Sequence, residues 1–238
     1  MTGPVLEAAR LGAWATNCIV LGDRATGQAV VVDPGQRGEE AVPVLLERVG
    51  LTAAAILLTH AHLDHLWAAP ALARTLDVPV HLHPDDAWLW QRPEDAFGPS
   101  GAQLAAGFGF TSWDTSDVDL RPLADGQRLD LAGLRIDVHH TPGHTPGHVV
   151  FTTDDLAGAT LRLDERPLDA RGTVMLSGDL LFAGSIGRTD LTGGDPAAMT
   201  RSLAATMAGC TDETLVVPGH GDATTIGEER SSNPFLPR

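Results

Sequence analysis

The sequence predicts an α/β protein in which helices cover a largely buried β-sheet. Short apolar runs separated by turn residues recur through both halves of the chain, a pattern typical of strands. Segments with helical spacing of apolar residues lie between these runs, so strands and helices are interspersed in both halves. The chain has 238 residues and shows no change of composition along its length, so we expect one domain over residues 1–238.

The elements of the first half follow from apolar runs and the breakers beside them. Asp33-Pro34-Gly35 ends the second strand, and Gly50 ends the first helix. The predicted strands are Cys18–Leu21, Ala29–Val32, Ala53–Leu58 and Val78–Leu82. The predicted helices are Glu39–Val49, Leu66–Leu76 and Pro84–Trp90. Residues 92–118 are rich in glycine, proline and serine, which predicts a long surface segment.

The second half continues the alternation. Leu129–Leu131 and Leu134–Val138 flank Ala132-Gly133, the pattern of a β-hairpin. The charged segment Asp154–Gly172 predicts a loop that projects from the fold. The remaining predicted elements are the strands Val149–Thr152, Thr173–Leu176 and Leu215–Val217 and the helix Pro196–Met207.

Composition excludes several classes of function. The formal net charge of -15 argues against a general nucleic-acid binder, which needs a cationic face. All 16 basic residues are arginine and tyrosine is absent, so neither a lysine Schiff base nor a tyrosyl acid or base is available. The two cysteines, Cys18 and Cys210, do not make a disulfide scaffold, which favours a cytoplasmic protein. Glu7 and Arg10 interrupt any signal peptide, and no apolar window approaches the ~18 residues of a membrane span.

A cluster of metal-ligand residues directly follows the predicted strand Ala53–Leu58. The stretch Thr59-His60-Ala61-His62-Leu63-Asp64-His65 holds three imidazoles and one carboxylate, the ligand types that zinc and similar divalent ions prefer. Because residues i and i+2 of an extended chain point the same way, His60 and His62 can converge on one metal. Asp64 and His65 follow where the chain turns toward a helix, so they can face a second metal.

Three later strand ends also carry a ligand-type side chain beside glycine or a turn. Binding sites commonly lie on such loops, held by a rigid scaffold. These side chains are His144 after Leu134–Val138, Asp179 after Thr173–Leu176 and His220 after Leu215–Val217. Together with the first cluster they make seven candidate ligands, about the number that two adjacent metals need if Asp179 bridges them.

These motifs resemble the metallo-β-lactamase superfamily, from Val32-Asp33-Pro34-Gly35 to Pro218-Gly219-His220. The resemblance implies a four-layer αββα sandwich with the metals at one edge between the sheets. Asp179, at a Ser-Gly-Asp position, is similar to that of single-domain glyoxalase II-like hydrolases, and the segment 181–190 is similar to these hydrolases and to persulfide dioxygenases. The implied ligands are His60, His62 and His144 for one metal and Asp64, His65 and His220 for the other, with Asp179 bridging them.

The resemblance implies that a hydroxide bridging two metals hydrolyses a thioester of a low-molecular-weight thiol. Two divalent ions lower the pKa of a shared water toward neutrality and polarise the carbonyl, and a metal then stabilises the oxyanion. The thiolate can leave without protonation by a strong acid, since thiol pKa values are about 8.5. Asp64 is the expected catalytic residue, because it ligates a metal and can orient the water. Zinc is the expected metal, with iron or manganese as alternatives.

Three further residues each have two possible roles. Asp33 either forms a turn or accepts a hydrogen bond from a ligand imidazole. His148 either supports the ligands or belongs to a structural turn. Arg188 either binds a substrate carboxylate bidentately or pairs with Asp190.

Three of the histidines outside the ligand pattern are His81, His83 and His140. His81 and His83 alternate along a strand and therefore face one side. They could form a metal pair, but no further ligands lie nearby in sequence, so a plain surface or interface position is the preferred reading. His140 precedes a turn, and we expect it to be packed.

Four alternative functions remain to be weighed. A mononuclear iron persulfide dioxygenase would use only His60, His144 and Asp179. A structural metal domain is disfavoured, because structural zinc sites are closed sets of four ligands. Asp179 counts against a β-lactamase, and the absence of tyrosine counts against lactonases that use one near the metals. The chain ends 18 residues after His220, which leaves no room for the helical domain with which glyoxalase II holds glutathione, so the thiol carrier is open.

Overall fold

The computed structural model describes residues 3–236, which form two large β-sheets and the helices that cover them. The strands are β1 (Pro4–Leu11), β2 (Thr16–Asp23), β3 (Gln28–Val32), β4 (Thr52–Leu57), β5 (Val80–Leu82), β6 (Leu120–Pro122), β7 (Arg128–Leu131), β8 (Leu134–His140), β9 (Val149–Thr153), β10 (Thr160–Leu163), β11 (Arg166–Leu168), β12 (Val174–Gly178), β13 (Leu181–Phe182), β14 (Ser185–Ile186), β15 (Leu215–Pro218) and β16 (Thr224–Thr225). The helices are α1 (Gly38–Val49), α2 (Leu63–Leu66), α3 (Ala69–Leu76), α4 (Ala87–Gln91), α5 (Gly101–Gly107), α6 (Pro196–Gly209) and α7 (Ile226–Ser232).

The two sheets are mixed in direction. The first has eight strands in the order β11-β10-β1-β2-β3-β4-β5-β6, and its run from β3 to β6 is parallel. The second has six strands in the order β16-β15-β12-β9-β8-β7, in which β12 and β15 are parallel neighbours. A small hairpin, β13-β14, follows β12. Parallel neighbours bring the carboxyl ends of β12 and β15 to the same edge.

Three apolar layers separate four layers of structure. Val30 and Val32 on β3 face the space between the sheets, whereas Val31 faces the helices on the outer side of the first sheet. Such strands are buried on both faces, which explains their continuous apolar runs. Met199 of α6 joins Met175 of β12 in an apolar cluster on the outer face of the second sheet. The predicted α/β class and four-layer αββα sandwich are therefore confirmed.

The segment 154–172 is not the projecting loop that its charges predicted. It forms the hairpin β10-β11, which extends the first sheet beside β1, with Val5 opposite Thr160. Leu161 and Leu163 alternate into the core between the sheets, at 2% and 3% exposure. Arg162 lies between these leucines, and the acidic Asp164 and Glu165 follow them, so the charged residues conceal the strand alternation.

The N-terminal strand β1 was missing from the predicted elements. Glu7 and Arg10 interrupt its apolar pattern, which hid the strand. Glu7 is nonetheless buried, because its carboxylate lies 2.9 Å from a guanidinium nitrogen of Arg48 on α1. A buried charge with a partner thus occupies a position that the sequence pattern assigns to solvent.

Two other expectations need correction in part. The segment 92–118 is not only surface chain, because it contains a 3₁₀ turn (Pro93–Ser100) and α5, and the buried Ala96 and Ala105 join the first core. The helix predicted over 66–76 is divided into α2 and α3. Pro70, in the first turn of α3, starts a new helix. Because α2 begins at residue 63, Asp64 and His65 lie on a helix rather than before one.

The preferred reading gave His81 and His83 a plain surface or interface position, and the surface part of that reading is wrong. Both are buried, with 6% and 8% exposure. His83 stacks on His140 of β8, with ring centroids 4.0 Å apart and an interplanar angle of 9°. His140 is half-buried and packed, as expected. Within residues 3–236, no helix is long and apolar enough to cross a membrane.

Candidate metal centre

The candidate metal centre lies at one edge of the sandwich, where four strands end. The loop after β4 carries His60 and His62, the loop after β8 carries His144, and Asp179 and His220 follow the parallel neighbours β12 and β15. Close packing at this edge requires glycine at position 219. A Cβ there would lie against Asp179 Oδ1 and 2.7 Å from a ring carbon of His65.

The first ligand group consists of His60, His62 and His144, whose ligand atoms lie within 4.8 Å of one another. His62 Nδ1 and His144 Nε2 are 2.8 Å apart. His60 Nδ1 lies 3.0 Å from Thr59 Oγ1, while its Nε2 is buried without a hydrogen-bond partner. The three rings thus turn nitrogen atoms toward a common point.

The second ligand group consists of Asp64, His65 and His220. His220 Nε2 lies 3.2 Å from Asp64 Oδ2 and 3.2 Å from His65 Nε2. On the outer side of the group, Thr16 donates a hydrogen bond to Asp64 Oδ2 (2.9 Å), and His220 Nδ1 donates to the backbone carbonyl of Trp14 (3.0 Å). His220 is therefore held from behind while its Nε2 faces the group, whereas Thr16 binds the same Asp64 oxygen that faces His220.

Asp179 lies between the two groups. Its Oδ2 is 3.4 Å from His144 Nε2 in the first group and 3.6 Å from His220 Nε2 in the second. Its Oδ1 is 3.3 Å from His65 Nε2. One carboxylate therefore faces both groups, the geometry that a bridging ligand requires.

Burial and charge set the protonation of these side chains. Burial, reinforced by His144, lowers the pKa of His62 to about 3, and burial followed by the charge of His65 lowers the pKa of His60 well below its ordinary value. Both rings are thus neutral, which is the form that binds metals. Burial alone would raise the pKa of Asp179, but the neighbouring imidazoles, His65 foremost, hold that pKa far below its usual range.

In the second group, neighbouring carboxylates raise a histidine pKa instead of leaving it lowered. Burial lowers the pKa of His65, but Asp64, Asp179 and Asp33 together raise that pKa well above its ordinary value. Burial would raise the pKa of Asp64, but His65 and His220 hold it well below its usual range. A bound cation would displace the proton of His65 and take its place beside the carboxylates.

Asp33 supports one histidine in each group. Its carboxylate accepts hydrogen bonds from His65 Nδ1 (2.9 Å) and from the Thr59 hydroxyl (2.7 Å) and amide (2.8 Å). Because the Thr59 hydroxyl donates to Asp33, it is free to accept from His60 Nδ1. This network fixes the ring tautomers with Nε2 facing inward.

His148 lies behind Asp179 and is not positioned as an eighth ligand. Its Nε2 accepts a hydrogen bond from the Asp179 amide (3.0 Å), and its Nδ1 lies 2.8 Å from Thr141 Oγ1. Burial, followed by the charge of His144, lowers the pKa of His148 well below its ordinary value, so the ring stays neutral and can accept. The ring therefore positions the residue that lies between the two groups.

Arg188 contributes its backbone rather than a free side chain. Its carbonyl accepts a hydrogen bond from His144 Nδ1 (2.7 Å). Its exposed guanidinium donates to both carboxylate oxygens of Asp190, at 2.6 and 2.8 Å. The structure thus shows the ion pair, which was the second of the two readings of this residue.

Four further residues that support the centre were not predicted. Thr16 and Thr59 hold ligands through their hydroxyls, as described above. Asn17 Nδ2 donates to the carbonyls of Pro218 and Gly221, on either side of the His220 turn, at 2.8 and 3.0 Å. The fourth residue, the buried Asp86, joins the loops of the first group. Threonine, asparagine and aspartate are common turn formers, so no signal in the sequence separates these four from other turn residues.

The donor set fits two divalent metals, and the structure supports this without reference to any related protein. His60 Nε2, His62 Nε2 and Asp179 Oδ1 are among the buried polar atoms without a hydrogen-bond partner in residues 3–236. Leaving such atoms unpaired costs free energy unless something compensates. Nitrogen and carboxylate oxygen donors are clustered here, and the outer nitrogens of His60, His65, His144 and His220 are hydrogen-bonded. Such an arrangement suits a zinc-type cation.

The family follows from this fold and this centre. The model of the metallo-β-lactamase superfamily matches residues 11–156. The chain belongs to that superfamily, a class of metallo-hydrolases that bind divalent metals through clusters of histidine and aspartate.

Particular relatives and structures cover nearly the whole chain. An uncharacterized protein of Mycobacterium leprae is 42% identical over 92% of this chain and 93% of its own length. Hydroxyacylglutathione hydrolase GloC of Haemophilus influenzae is 31% identical over 97% of each chain. Among solved structures, the BLEG-1 B3 metallo-β-lactamase has a TM-score of 0.76 and 35% identity over 97% of this chain and 99% of its own. TTHA1623 in a di-iron-bound form has a TM-score of 0.74 and 38% identity over 96% and 99%.

Proposed function

We propose that the protein is a dinuclear metal-dependent hydrolase that cleaves thioesters of a low-molecular-weight thiol. The observation that carries the proposal is the position of Asp179, whose single carboxylate faces a complete ligand group on each side. A mononuclear centre would have no use for the second group.

Each of the seven side chains has an assigned role in this proposal. Zinc is the first candidate for the two ions, with iron or manganese as alternatives, since sites of this kind are filled according to availability. Asp179 would be shared between the ions. His60, His62 and His144 would hold the first ion, and Asp64, His65 and His220 would hold the second.

When bound, two divalent ions would lower the pKa of a shared water toward neutrality and polarise the carbonyl of the substrate. The chain supplies the orientation. Asp64 is the proposed catalytic residue: the hydroxyl of Thr16 fixes its carboxylate, which can accept a hydrogen bond from the attacking water. No protein acid is needed for the departing thiolate, because thiols ionise near a pKa of about 8.5.

The thioester as substrate is supported by the name of the Haemophilus influenzae relative, a hydroxyacylglutathione hydrolase that aligns over 97% of each chain. The di-iron form of TTHA1623 supports a centre that holds two ions and keeps iron among the candidates. Recognition of the thiol carrier falls to arginine, backbone amides or the metals, because lysine and tyrosine are absent from the sequence.

Two other reactions share this donor set. A mononuclear iron persulfide dioxygenase would use His60, His144 and Asp179, and the close approach of His144 Nε2 to Asp179 Oδ2 (3.4 Å) is compatible with it. The similarity to the BLEG-1 B3 metallo-β-lactamase suggests β-lactam hydrolysis. Both reactions therefore belong in the assay.

The test combines elemental analysis of the purified protein with three substrates: an S-acyl glutathione, glutathione persulfide with oxygen monitored, and a β-lactam. We expect two metal ions per chain and cleavage of the thioester. Asp64→Ala should abolish that cleavage, while Asp85→Asn, a change of the same charge outside the centre, should retain it. One ion per chain with an inert thioester would contradict the proposal, and oxygen consumption would favour the dioxygenase.

A further inference from the structure

Asp86 is a fully buried carboxylate outside the seven ligand side chains. It ends the 3₁₀ turn Pro84–Asp86, just before α4, and its relative exposure is 0%. Its own amide donates to the carbonyl of His83 (3.1 Å), which fixes its backbone at the end of β5. A buried aspartate at such a site needs partners that compensate for lost hydration.

The partners of Asp86 all lie on two loops that carry ligands. Oδ2 accepts a hydrogen bond from the amide of Ala61 (3.0 Å), the residue between His60 and His62. The same oxygen accepts from the hydroxyl of Thr145 (2.7 Å), the neighbour of His144 in the sequence. Oδ1 accepts from the amide of Gly147 (2.6 Å), in the same loop.

The three contacts demand a carboxylate. The two amides can only donate, so an asparagine at position 86 would turn its NH₂ group toward at least one of them and leave it unpaired. The approach is also close. A Cβ at Gly147 would lie 2.6 Å from the amide nitrogen and 2.7 Å from Cγ of Asp86, so this neighbour must be glycine.

Asp33 and Asp86 support different parts of the centre. Asp33 reaches His65 directly and His60 through Thr59, so it serves both groups. The side-chain hydrogen bonds of Asp86 within residues 3–236 end on the 60–62 and 144–148 loops, and both loops belong to the first group.

We infer that Asp86 is a positioning residue that fixes the 60–62 loop against the 144–148 loop and so shapes the metal site formed by His60, His62 and His144. The inference rests on the proposed two-metal centre. Residues of this kind change metal affinity by about 10–100-fold when they are replaced, because the ligands lose their common focus. The loss should fall on the first ion, while the second retains its wild-type affinity.

The test is a competition between the protein and a chromophoric chelator for zinc, with Asp86→Asn compared with wild type. Asp85→Asn is the matched control, since it removes the same charge from the adjacent and exposed residue. We expect Asp86→Asn to weaken one of two zinc equivalents about 10–100-fold and Asp85→Asn to weaken neither. His62→Ala and His220→Ala provide reference titrations that identify which equivalent is affected.

Thr145→Val removes a single donor and leaves the carboxylate in place, so it remains informative if Asp86→Asn fails to fold. It should weaken the same zinc equivalent by a smaller factor. If Asp86→Asn folds and binds both equivalents as wild type does, or weakens the His220 equivalent instead, the inference about Asp86 is wrong. If wild-type protein binds fewer than two zinc ions, the proposed centre itself fails.

Discussion

Two clusters of histidine and aspartate in this molecule look alike by distance and differ in their hydrogen bonds. One is the candidate metal centre described above. The other consists of His83, Asp85 and His140, whose ligand atoms also lie within 4.8 Å of one another. It lies where β5 of the first sheet approaches β8 of the second.

In the metal centre, backing groups occupy the outer ring nitrogens. The Nδ1 atoms of His65, His144 and His220 are bonded to Asp33, the Arg188 carbonyl and the Trp14 carbonyl, respectively. Their Nε2 atoms are left to face one another across the centre. The ligand atoms are therefore close to one another and also oriented toward the middle of the centre.

In the second cluster, the nitrogens closest to Asp85 already have partners. His140 Nε2 donates to the carbonyl of Pro146 (2.8 Å), and His83 Nδ1 accepts from the amide of Asp85 (3.3 Å). The two rings are stacked face to face, so their in-plane lone pairs do not converge. Proximity of ligand-type atoms does not make a metal site unless a lone pair is left over and pointed inward. We interpret the second cluster as a contact between the sheets.

The largest effect that would sharpen this comparison is expected from Asp179→Asn. Metal content should fall below two ions per chain, and kcat/KM for thioester cleavage should fall about 10³-fold or more, since polarisation by the metals is worth several kcal/mol. Elemental analysis and steady-state kinetics measure both quantities. His83→Ala, in the second cluster, should keep the wild-type metal content. A lower metal content in His83→Ala would break the distinction between the clusters.

Removal of metal should destabilise the protein through the candidate metal centre and not through the cluster of His83, Asp85 and His140. A ligand at 100 times its Kd adds about 2.7 kcal/mol to the free energy of unfolding, which at this chain length raises Tm by roughly 5–11 °C. Calorimetry with and without EDTA measures the shift. His140→Ala should show the same EDTA-dependent shift as wild type, whereas His62→Ala should show a smaller one. An equal loss of the shift in both variants would contradict our interpretation.

The second cluster should instead make the free energy of unfolding depend on pH. Burial and the charge of His140 lower the pKa of His83 in the folded protein, although Asp85 and Asp125 oppose this. As pH falls through about 6.5, His83 is therefore protonated in the unfolded chain before it is protonated in the folded protein. The neutral His83 ring stabilises the folded protein above that pH, and the free energy of unfolding decreases below it. His83→Phe keeps the stacked ring but cannot titrate. We expect its free energy of unfolding to fall less between pH 7.5 and 5.5 than that of wild type.

Urea titrations at the two pH values, with EDTA present throughout, measure that difference without any contribution from bound metal. His139→Phe is a suitable control, because His139 is exposed and outside the stack. Equal slopes for wild type and His83→Phe would show that the stack does not respond to pH.

The same contrast explains which parts of the centre could be predicted from the sequence. Five of the seven predicted ligands follow apolar strands at turns, and the other two, Asp64 and His65, stand in the same short motif as His60 and His62, so local pattern and residue chemistry together predict the set. The Trp14 and Arg188 carbonyls could not be predicted, because every residue carries a carbonyl and only the tertiary fold selects one. Asp86 lies more than 20 positions from the first motif, and its partners are backbone amides that leave no mark on the sequence.

Arg188→Ala should have the smallest effect and tests the remaining reading of that residue. Its exposed ion pair with Asp190 contributes about 1 kcal/mol or less to stability, and its carbonyl keeps the contact with His144 whatever the side chain is. We therefore expect kcat/KM to fall less than tenfold. A guanidinium that binds a substrate carboxylate would contribute about 1.5–3 kcal/mol, at least a tenfold change. Asp190→Ala is the matched control, because it frees the guanidinium. If KM for a carboxylate-bearing thioester falls in Asp190→Ala and rises in Arg188→Ala, this side chain recognises the substrate, and the ion pair only holds it until the substrate binds.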